Sequence, residues 1–512
     1  MGGGLLQLST KGIEDSYLNN NPNINLFKKV YMRYTNFTMA TINVPCSNFS
    51  ILNGNLKSIN KRLPYNETSR FRVKVPRNGD LIDNIFLTFQ LPAIKSEQEN
   101  GFKYIENIGT SIIKSASIYI EDTLIETISG EFIYNYFKLN NLEGKNDIFD
   151  QSINSDAYFH VHNSSQIDNN NKINKYYNTS PSIKSKKIIV PLLFWLTKNR
   201  GLSLPLIGLR YHQVFIDFEL RSFRDLCLIS NKETISHTNS ASVTLNQDRY
   251  RWVKPPENLN IDNYFVDTFW ELDPQLEINY VFLDNKERNL IAQNSQKYLI
   301  EQVTSFNILS VEGTKNFEFE VYHPIKEIII VPKRADAEKR NEWSNFSNHD
   351  YLGINYKDFQ TFKQDRVYSQ SELKSLLDIW KFREYNNIPS IDIQNHKFHD
   401  RRIIDSMNIE IDNNNRLEYK STKYFNLEQQ YQHYNGTYVD DILLYSLSKS
   451  PGKIQPTGFL NMSEIDNLVL NINFKEPSLY NENYKYDMTV YFVNYNILDI
   501  RNGMGGLVYA NK

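Results

Sequence analysis

Val214-Phe215-Ile216-Asp217-Phe218-Glu219-Leu220 sets Val214, Ile216, Phe218 and Leu220 on alternate positions, with two acids among the residues between them. Only an extended chain turns that pattern into one apolar and one polar face, because successive side chains of a strand point to opposite sides. The same period recurs outward in both directions. Upstream, Phe71, Val73 and Val75 alternate with Arg72 and Lys74, and Ile85, Leu87, Phe89 and Leu91 alternate with Phe86, Thr88 and Gln90. Ala116, Ile118 and Ile120 follow the same rule. Downstream come Leu276, Ile278, Tyr280 and Phe282, then Phe317, Phe319 and Val321, then Met407, Ile409 and Ile411. Leu468, Leu470, Ile472 and Phe474, and finally Met488, Val490 and Phe492, complete the series. Strands that bury one face and wet the other build antiparallel sandwiches. Turn formers punctuate them at Arg77-Asn78-Gly79-Asp80, Asn435-Gly436 and Pro451-Gly452. Helical spacing is confined to Gly130–Leu142, with Phe132, Ile133, Tyr136 and Phe137 on one side, and to Ser371–Tyr385, where Ser371 is the N-cap and Leu373, Leu376, Leu377 and Trp380 form a stripe.

A chain of 512 residues is too long for one ordinary sandwich and suits two β domains with large loops. The 33 Tyr and 30 Phe favour pleated, half-buried surfaces. Polar stretches at about 143–184, 225–262 and 335–403 read as long surface insertions, the last carrying its own small helix. The polar segment Asp284–Gln296 separates the two strand sets. Asparagine runs such as Asn19-Asn20-Asn21, Asn169-Asn170-Asn171 and Asn413-Asn414-Asn415 mark further loops. With 57 basic against 59 acidic residues there is no field to wrap nucleic acid. Two cysteines, Cys46 and Cys227, exclude a disulfide framework and read as free structural thiols. The opening Met1-Gly2-Gly3-Gly4-Leu5-Leu6 is no secretory signal and a poor myristoylation match, and no run of apolar residues is long enough to span a bilayer. The expected setting is the reducing, cytoplasmic side.

Specific catalytic motifs are missing: no phosphate loop, nucleophile elbow, CxxC or HExxH occurs, and Gly503-Met504-Gly505-Gly506 lacks a following helix. His160-Val161-His162 places two imidazoles on one face of a strand, and His396-Lys397-Phe398-His399-Asp400 spaces two by three residues. Both fall in polar loops, where solvated histidine is the plain reading; His396 and His399 are the candidates for a metal site, and no cofactor is expected. Asp440 and Asp441 point to opposite faces if extended, which argues against joint catalysis. Of the Asn-x-Ser/Thr sequons, at a frequency that chance accounts for, Asn163, Asn178, Asn345 and Asn435 fall in loops and are the glycosylation candidates. Phe27-Lys28-Lys29-Val30-Tyr31-Met32-Arg33-Tyr34 interleaves basic and aromatic residues. It reads either as a nucleic-acid or acidic-surface binder, or as an entry segment whose aromatics dock while Lys28, Lys29 and Arg33 face water.

Several segments resemble the major capsid proteins of large nucleocytoplasmic, icosahedral double-stranded DNA viruses. They are Gly2-Gly3-Gly4-Leu5, Asn21-Pro22, Phe27–Tyr31, Arg33–Phe37, Arg77–Ile82, Val190–Trp195, Gly201–Ile207 and Tyr211-His212. Tyr280–Asp284, Glu287-Arg288, Tyr298–Gln302 and His323–Glu327 follow. The set closes with Gln455–Gly458, Asn461–Ser463, Ile465-Asp466, Asn494–Leu498 and Gly503–Asn511. These anchors are collinear over nearly the whole chain. The chain departs from the pattern at Glu121-Asp122-Thr123, where a Gly-Gly pair is usual, and at Glu464, where arginine is usual.

The resemblance implies an all-β fold of two consecutive eight-stranded antiparallel jelly rolls with long loop insertions and few short helices. The expected division is an N-terminal arm (1–26), a first jelly roll (27–284), a linker (285–297) and a second jelly roll (298–512) with the insertion at about 335–403. It also implies a non-enzymatic shell protein. Three chains would form a pseudo-hexagonal capsomer tiling an icosahedral shell, loops outward and the arm with Lys28, Lys29 and Arg33 inward. Expected partners are the chain itself, minor capsid or penton proteins and an inner viral membrane, with no specific nucleic acid. The location is the virion capsid, assembled in the host cytoplasm. Alternatives are a minor or paralogous capsid protein, a jelly-roll carbohydrate-binding or attachment module, and a jelly-roll metalloenzyme.

Overall fold

The computed structural model describes residues 10, 12–18, 36–46, 62–94, 102–140, 143–153, 165–167, 173–175, 185–238, 244–267, 270–348, 402–439, 441–475 and 484–510. The first half holds β1 (Phe37–Pro45), β2 (Ser69–Lys74), β3 (Leu81–Leu91), β4 (Phe102–Tyr104), β5 (Ile113–Ile120), β6 (Thr123–Ile128), β7 (Ser165–Ile167) and β8 (Ile173–Lys175). It continues with β9 (Lys186–Pro191), β10 (Leu204–Pro205), β11 (Val214–Leu220), β12 (Cys227–Thr238), β13 (Thr244–Val253) and β14 (Gln275–Leu283). The second half holds β15 (Gln296–Val311), β16 (Thr314–Phe319), β17 (Pro324–Arg334), β18 (Ile404–Ile411) and β19 (Asn414–Ser421). It ends with β20 (Leu443–Ser446), β21 (Leu460–Asn461), β22 (Leu468–Phe474), β23 (Tyr486–Arg501) and β24 (Met504–Leu507). Helices α1 (Gly130–Asn140), α2 (Glu143–Ile153) and α3 (Asn285–Gln293) are joined by α4 (Gln429–His433), which continues a π-turn over Tyr424–Glu428.

Pairing gives two sheets in each half. In the first half the orders are β1-β14-β3-β9 and β2-β11-β5-β6; in the second they are β15-β23-β17-β20 and β16-β22-β18-β19. Counting only these eight strands in each half, both read first-eighth-third-sixth and second-seventh-fourth-fifth, with every pairing antiparallel. That repeated order is the jelly roll. The quoted alternation is its cause: in β11 the buried set is Val214, Ile216, Phe218 and Leu220, while Arg72 on neighbouring β2 binds Asp217 through two hydrogen bonds of 2.6 and 2.7 Å on the polar face.

Because the strands alternate in direction, the odd connections share one end of each sandwich. In the first half these are 46–68, 92–112, 129–185 and 221–274, against the short 75–80 and 121–122 and the longer 192–213 at the other end. In the second half the odd end includes 335–403 and 422–442. Insertions are thus gathered at one end, here called the crown; the other end is the base. One expectation changes. The 225–262 stretch is not loop but the long β12–β13 hairpin, which β4 extends to three strands, because Ile229, Thr234, Ile235 and Thr238 supply β-branched residues that a purely polar reading discounts. Within the linker expected over 285–297, Asn285–Gln293 is helical. The Ser371–Tyr385 helix lies outside the described residues.

β17 and β23 differ from the other long strands: β17 along nearly its whole length, and β23 from Val490 to Leu498, are buried without alternation. Ile328, Ile330, Val490 and Phe492 enter the core of the second sandwich. Ile329, Val331, Tyr491 and Val493, on the opposite face, join the hydrophobic cluster of the first half. Burying each such side chain contributes about 1.5–3 kcal/mol, so this doubly covered sheet is the main adhesive between the two halves.

Candidate functional site: the seam between the two sandwiches

The outer face of the β15-β23-β17-β20 sheet is covered by the first half's α1 and by the chain around it. Gly130 opens α1 at a point where a Cβ would collide with the carbonyl oxygens of Thr110 and Ile113, so only glycine lets the helix follow β6 so closely. From α1, the Phe132 ring lies 5.4 Å from the Tyr491 ring at a tilt of 49°, and the Tyr491 hydroxyl lies 2.9 Å from Ser129 Oγ and donates to Glu131 at 3.0 Å. Gln302 Nε2 donates to Ile125 O of β6.

At the centre of the seam is a buried ionic cluster drawn from both halves. Lys326 Nζ lies 2.6 Å from Glu301 Oε1, 2.9 Å from Pro451 O and 3.3 Å from the Tyr136 hydroxyl. Lys198 Nζ reaches Glu301 Oε2 at 3.1 Å and stands 4.6 Å above the Tyr136 ring. Glu327, fully buried, accepts from the Tyr434 hydroxyl. Glu126 accepts from Trp195 N at 2.9 Å through one oxygen, and its other is buried with no partner. Burial would push the Glu301 carboxyl up, but Lys326 and Lys198 outweigh it and hold it at about 2. Burial also opposes the charge on Lys326, yet Glu301, Tyr136 and Glu327 hold it well above the usual lysine range. Burial raises Glu327, and it raises Glu126 to about 7 against the pull of Lys198. Two cations thus face one fully ionised carboxylate and two that resist ionisation. Lys326 and Glu327 are fully buried, and the chemistry of such a cluster is that of orientation.

The crown and the base add further ties. At the crown, Asn341 Nδ2 donates to Arg224 O (2.7 Å) and Cys227 O (2.9 Å), Trp343 Nε1 donates to Asp225 O (2.9 Å), and the Arg221 guanidinium sits 4.1 Å over the Trp343 ring. A cleft of about 750 Å³ there is lined by Arg224, Lys254, Glu257, Glu338 and Lys339. Its charges are largely paired: Lys254 with Asp225 at 2.5 Å and Arg224 with Glu257 at 3.1 Å. At the base, Asp80 accepts from Leu283 N (2.9 Å) and Arg288 Nε (2.8 Å), which fastens α3 to the first sandwich. His212 Nδ1 lies 3.1 Å from Gly505 O, and Tyr211 N donates to Gly503 O at 2.9 Å. Near the base, Glu14 of the Ile13–Tyr17 turn meets His323 at 2.8 Å. Anchors far apart in sequence therefore converge: Asp80 with Arg288, Tyr211-His212 with Gly503–Gly505, and Glu301-Gln302 with Tyr495-Asn496 across the β15–β23 ladder.

The sequence-derived candidates fall differently. Lys28, Lys29, Arg33, His160, His162, Asn163, Asn178, His396 and His399 lie outside the described residues. Asn345 is corrected: it is 2% exposed and its Nδ2 donates to Glu342 at 2.9 Å, leaving no room for a glycan. Asn435 is exposed. Cys46 and Cys227 are free and buried. Among the described residues no group of His, Cys, Asp and Glu could hold a metal. The sequence reading missed Lys198, Glu301, Lys326 and Glu327. The available signal was a charged pair, Lys326-Glu327, embedded in an otherwise apolar run from Ile325 to Val331.

Comparison with known proteins extends these observations. A family profile described as major capsid protein N-terminus matches residues 25–284, and one described as large eukaryotic DNA virus major capsid protein matches residues 287–506. The major capsid protein of Phaeocystis pouchetii virus is 27% identical over 560 residues, with 100% of each chain covered. That of Paramecium bursaria Chlorella virus 1 is 27% identical over 534 residues, again with 100% of each covered. Among solved structures, a chain of the PBCV-1 virus capsid superposes with a TM-score of 0.60 at 22% identity, covering 95% of this chain and 100% of that one. The Faustovirus major capsid protein does so at 0.57 and 12%, covering 93% of each. At such identities the superpositions speak for the double jelly-roll fold.

Proposed function

Since the chain belongs to the major capsid protein family of large eukaryotic DNA viruses, we propose that three copies close into a pseudo-hexagonal capsomer that tiles an icosahedral shell. The protein is structural, a component of the virion capsid that assembles with itself, and not an enzyme. The observation that carries the capsomer is the internal repeat. Two jelly rolls of identical strand order, set side by side by a rigid seam, present six similar wedges when three chains meet. The boundaries adopted are an arm over 1–26, jelly rolls over 27–284 and 298–512, and a connecting segment over 285–297. Support comes from the separate sheets of each half and from the break between the two profile matches.

The crown faces outward in this reading and the base inward, towards minor capsid or penton proteins and an inner membrane, in particles assembled in the host cytoplasm. The support is positional: the insertions share one end, while the Ile13–Tyr17 turn docks near the other. Size-exclusion chromatography with light scattering tests the capsomer. Three times the 60.2 kDa of one chain is expected, and a stable monomer at all concentrations refutes it.

A further inference from the structure

The seam holds another lysine–glutamate contact, built differently from the ionic cluster beside it. Lys333 of β17 stands two residues beyond Val331, on the face of that strand that joins the first half, and its ammonium meets Glu131 Oε2 in the first turn of α1. The two side chains are 19% and 11% exposed. The Phe346 ring lies 5.8 Å from Lys333 Nζ, and the Tyr491 ring packs on Phe132 alongside. The other oxygen of Glu131, Oε1, accepts from the Tyr491 hydroxyl at 3.0 Å, and that hydroxyl lies 2.9 Å from Ser129 Oγ.

The contrast with the cluster is chemical. There, Glu301 meets two lysines, which hold its carboxyl ionised at about 2, and Lys326 is kept charged. Glu131 meets one cation on one oxygen and one neutral hydroxyl on the other. Burial pushes the Lys333 ammonium down, against the pull of Asp487, its cross-strand partner in the β17–β23 ladder, and of Glu338. Passing one proton from Nζ to Oε2 across the contact leaves a neutral amine beside a neutral carboxylic acid, and desolvation favours that form over two charges.

We propose that Lys333 and Glu131 condense to an intramolecular isopeptide bond that ties the second sandwich covalently to the first. The amine attacks Glu131 Cδ, and the new oxyanion forms on Oε1, under the Tyr491 hydroxyl and the N-terminal end of α1. The Cδ–Oε2 bond then breaks, and Oε2 leaves as water with the carboxyl proton and one amine proton. Atoms balance without a co-reactant: an amine and a carboxylic acid give an amide and one water. Proximity drives the step, since well-oriented groups reach effective molarities of about 10⁵–10⁸ M. It runs once per chain and only in the folded state, because Glu131 and Lys333 come from different halves. The bond closes the chain between residues 131 and 333 into one covalent loop, whatever the copies then assemble into.

Intact-mass spectrometry of the parent chain, folded and then denatured, is the test. A chain lighter by one water is expected. A tryptic digest should hold a branched peptide joining residues 115–138 to 327–334, with Lys333 uncut. Lys333→Arg keeps the ion pair and should restore the full mass. Tyr491→Phe keeps the ring but removes the oxyanion donor, so the branched peptide should accumulate about a hundredfold more slowly after synthesis. Full mass in the parent chain after prolonged incubation in the folded state, with trypsin cutting after Lys333, means an ion pair only and overturns the proposal. A mass loss that survives Lys333→Arg overturns it as well.

Discussion

Lys326→Met tests whether the ionic cluster in the seam is energetically real. The substitution keeps a long flexible stem but deletes the ammonium, leaving Glu301 Oε1, Pro451 O and the Tyr136 hydroxyl facing a thioether. Removing one partner of a buried ion pair is destabilising by about 3–5 kcal/mol, because the surviving charge stays desolvated. Glu301 keeps Lys198 at 3.1 Å, which places the expected loss near the lower end, about 3 kcal/mol. For a folding unit of roughly 200 residues each kcal/mol moves Tm by about 2–4 °C, so the midpoint should fall by about 6–12 °C. The assay is differential scanning calorimetry on dilute, dissociated chains, so that assembly does not add to the transition. Adding Glu301→Gln should be non-additive with it, since both substitutions act on the same set of buried charges, which includes Lys198. A fall below about 2 °C, or strict additivity of the two substitutions, would refute the claim of a shared, desolvated cluster.

Glu126→Gln probes the same region through pH. With its carboxyl held at about 7 against an ordinary 4.5, the folded chain keeps a proton that the unfolded chain loses between those values. Stability from this group therefore falls as pH rises through that window and stays low above it. The variant should be more stable than the parent by up to about 3 kcal/mol at pH 8 and equal to it near pH 4; denaturant midpoints across pH that run parallel would contradict this. Asp80→Asn should weaken the hold on α3 and lower stability by about 2 kcal/mol in urea titration, with no effect if the Arg288 contact is idle. Gly436→Ala should detach the 434–442 segment from α1, since a Cβ there would strike the carbonyls of Lys138 and Leu139. Faster limited proteolysis near that segment is the readout, and unchanged cleavage would count against it.

The strands were legible because their one-sided burial writes a period of two into the sequence: β2, β3, β5, β11, β14, β18 and β22 all carry it. The helix at Gly130 was legible for the analogous reason. β17 was not, since a strand covered on both faces loses alternation and reads as a bare apolar run. The seam was hidden for the same cause. Tyr491, Lys326 and Lys198 each look unremarkable locally, and their meaning arises from partners in the other half of the chain. Glu121 illustrates the reverse. It stands at φ +52° where glycine would be relaxed, and its carboxylate compensates by accepting from Gln213 N at 2.8 Å. No local rule announces such a compensation.

The doubly covered strand has a temporal consequence. Ser129 and Tyr491 touch across 362 residues of chain. At translation rates of about 5–20 residues per second, the partner of α1 is roughly 20–70 s behind it on the ribosome. During that interval the flank of the first sandwich bearing Phe132 and Tyr136 has no cover, and the central strand of the second sandwich has not been made. That flank is thus without its partner until β23 (Tyr486–Arg501) has been made. Chains truncated before Tyr486, which lack β23, are therefore expected to aggregate more readily than the whole chain.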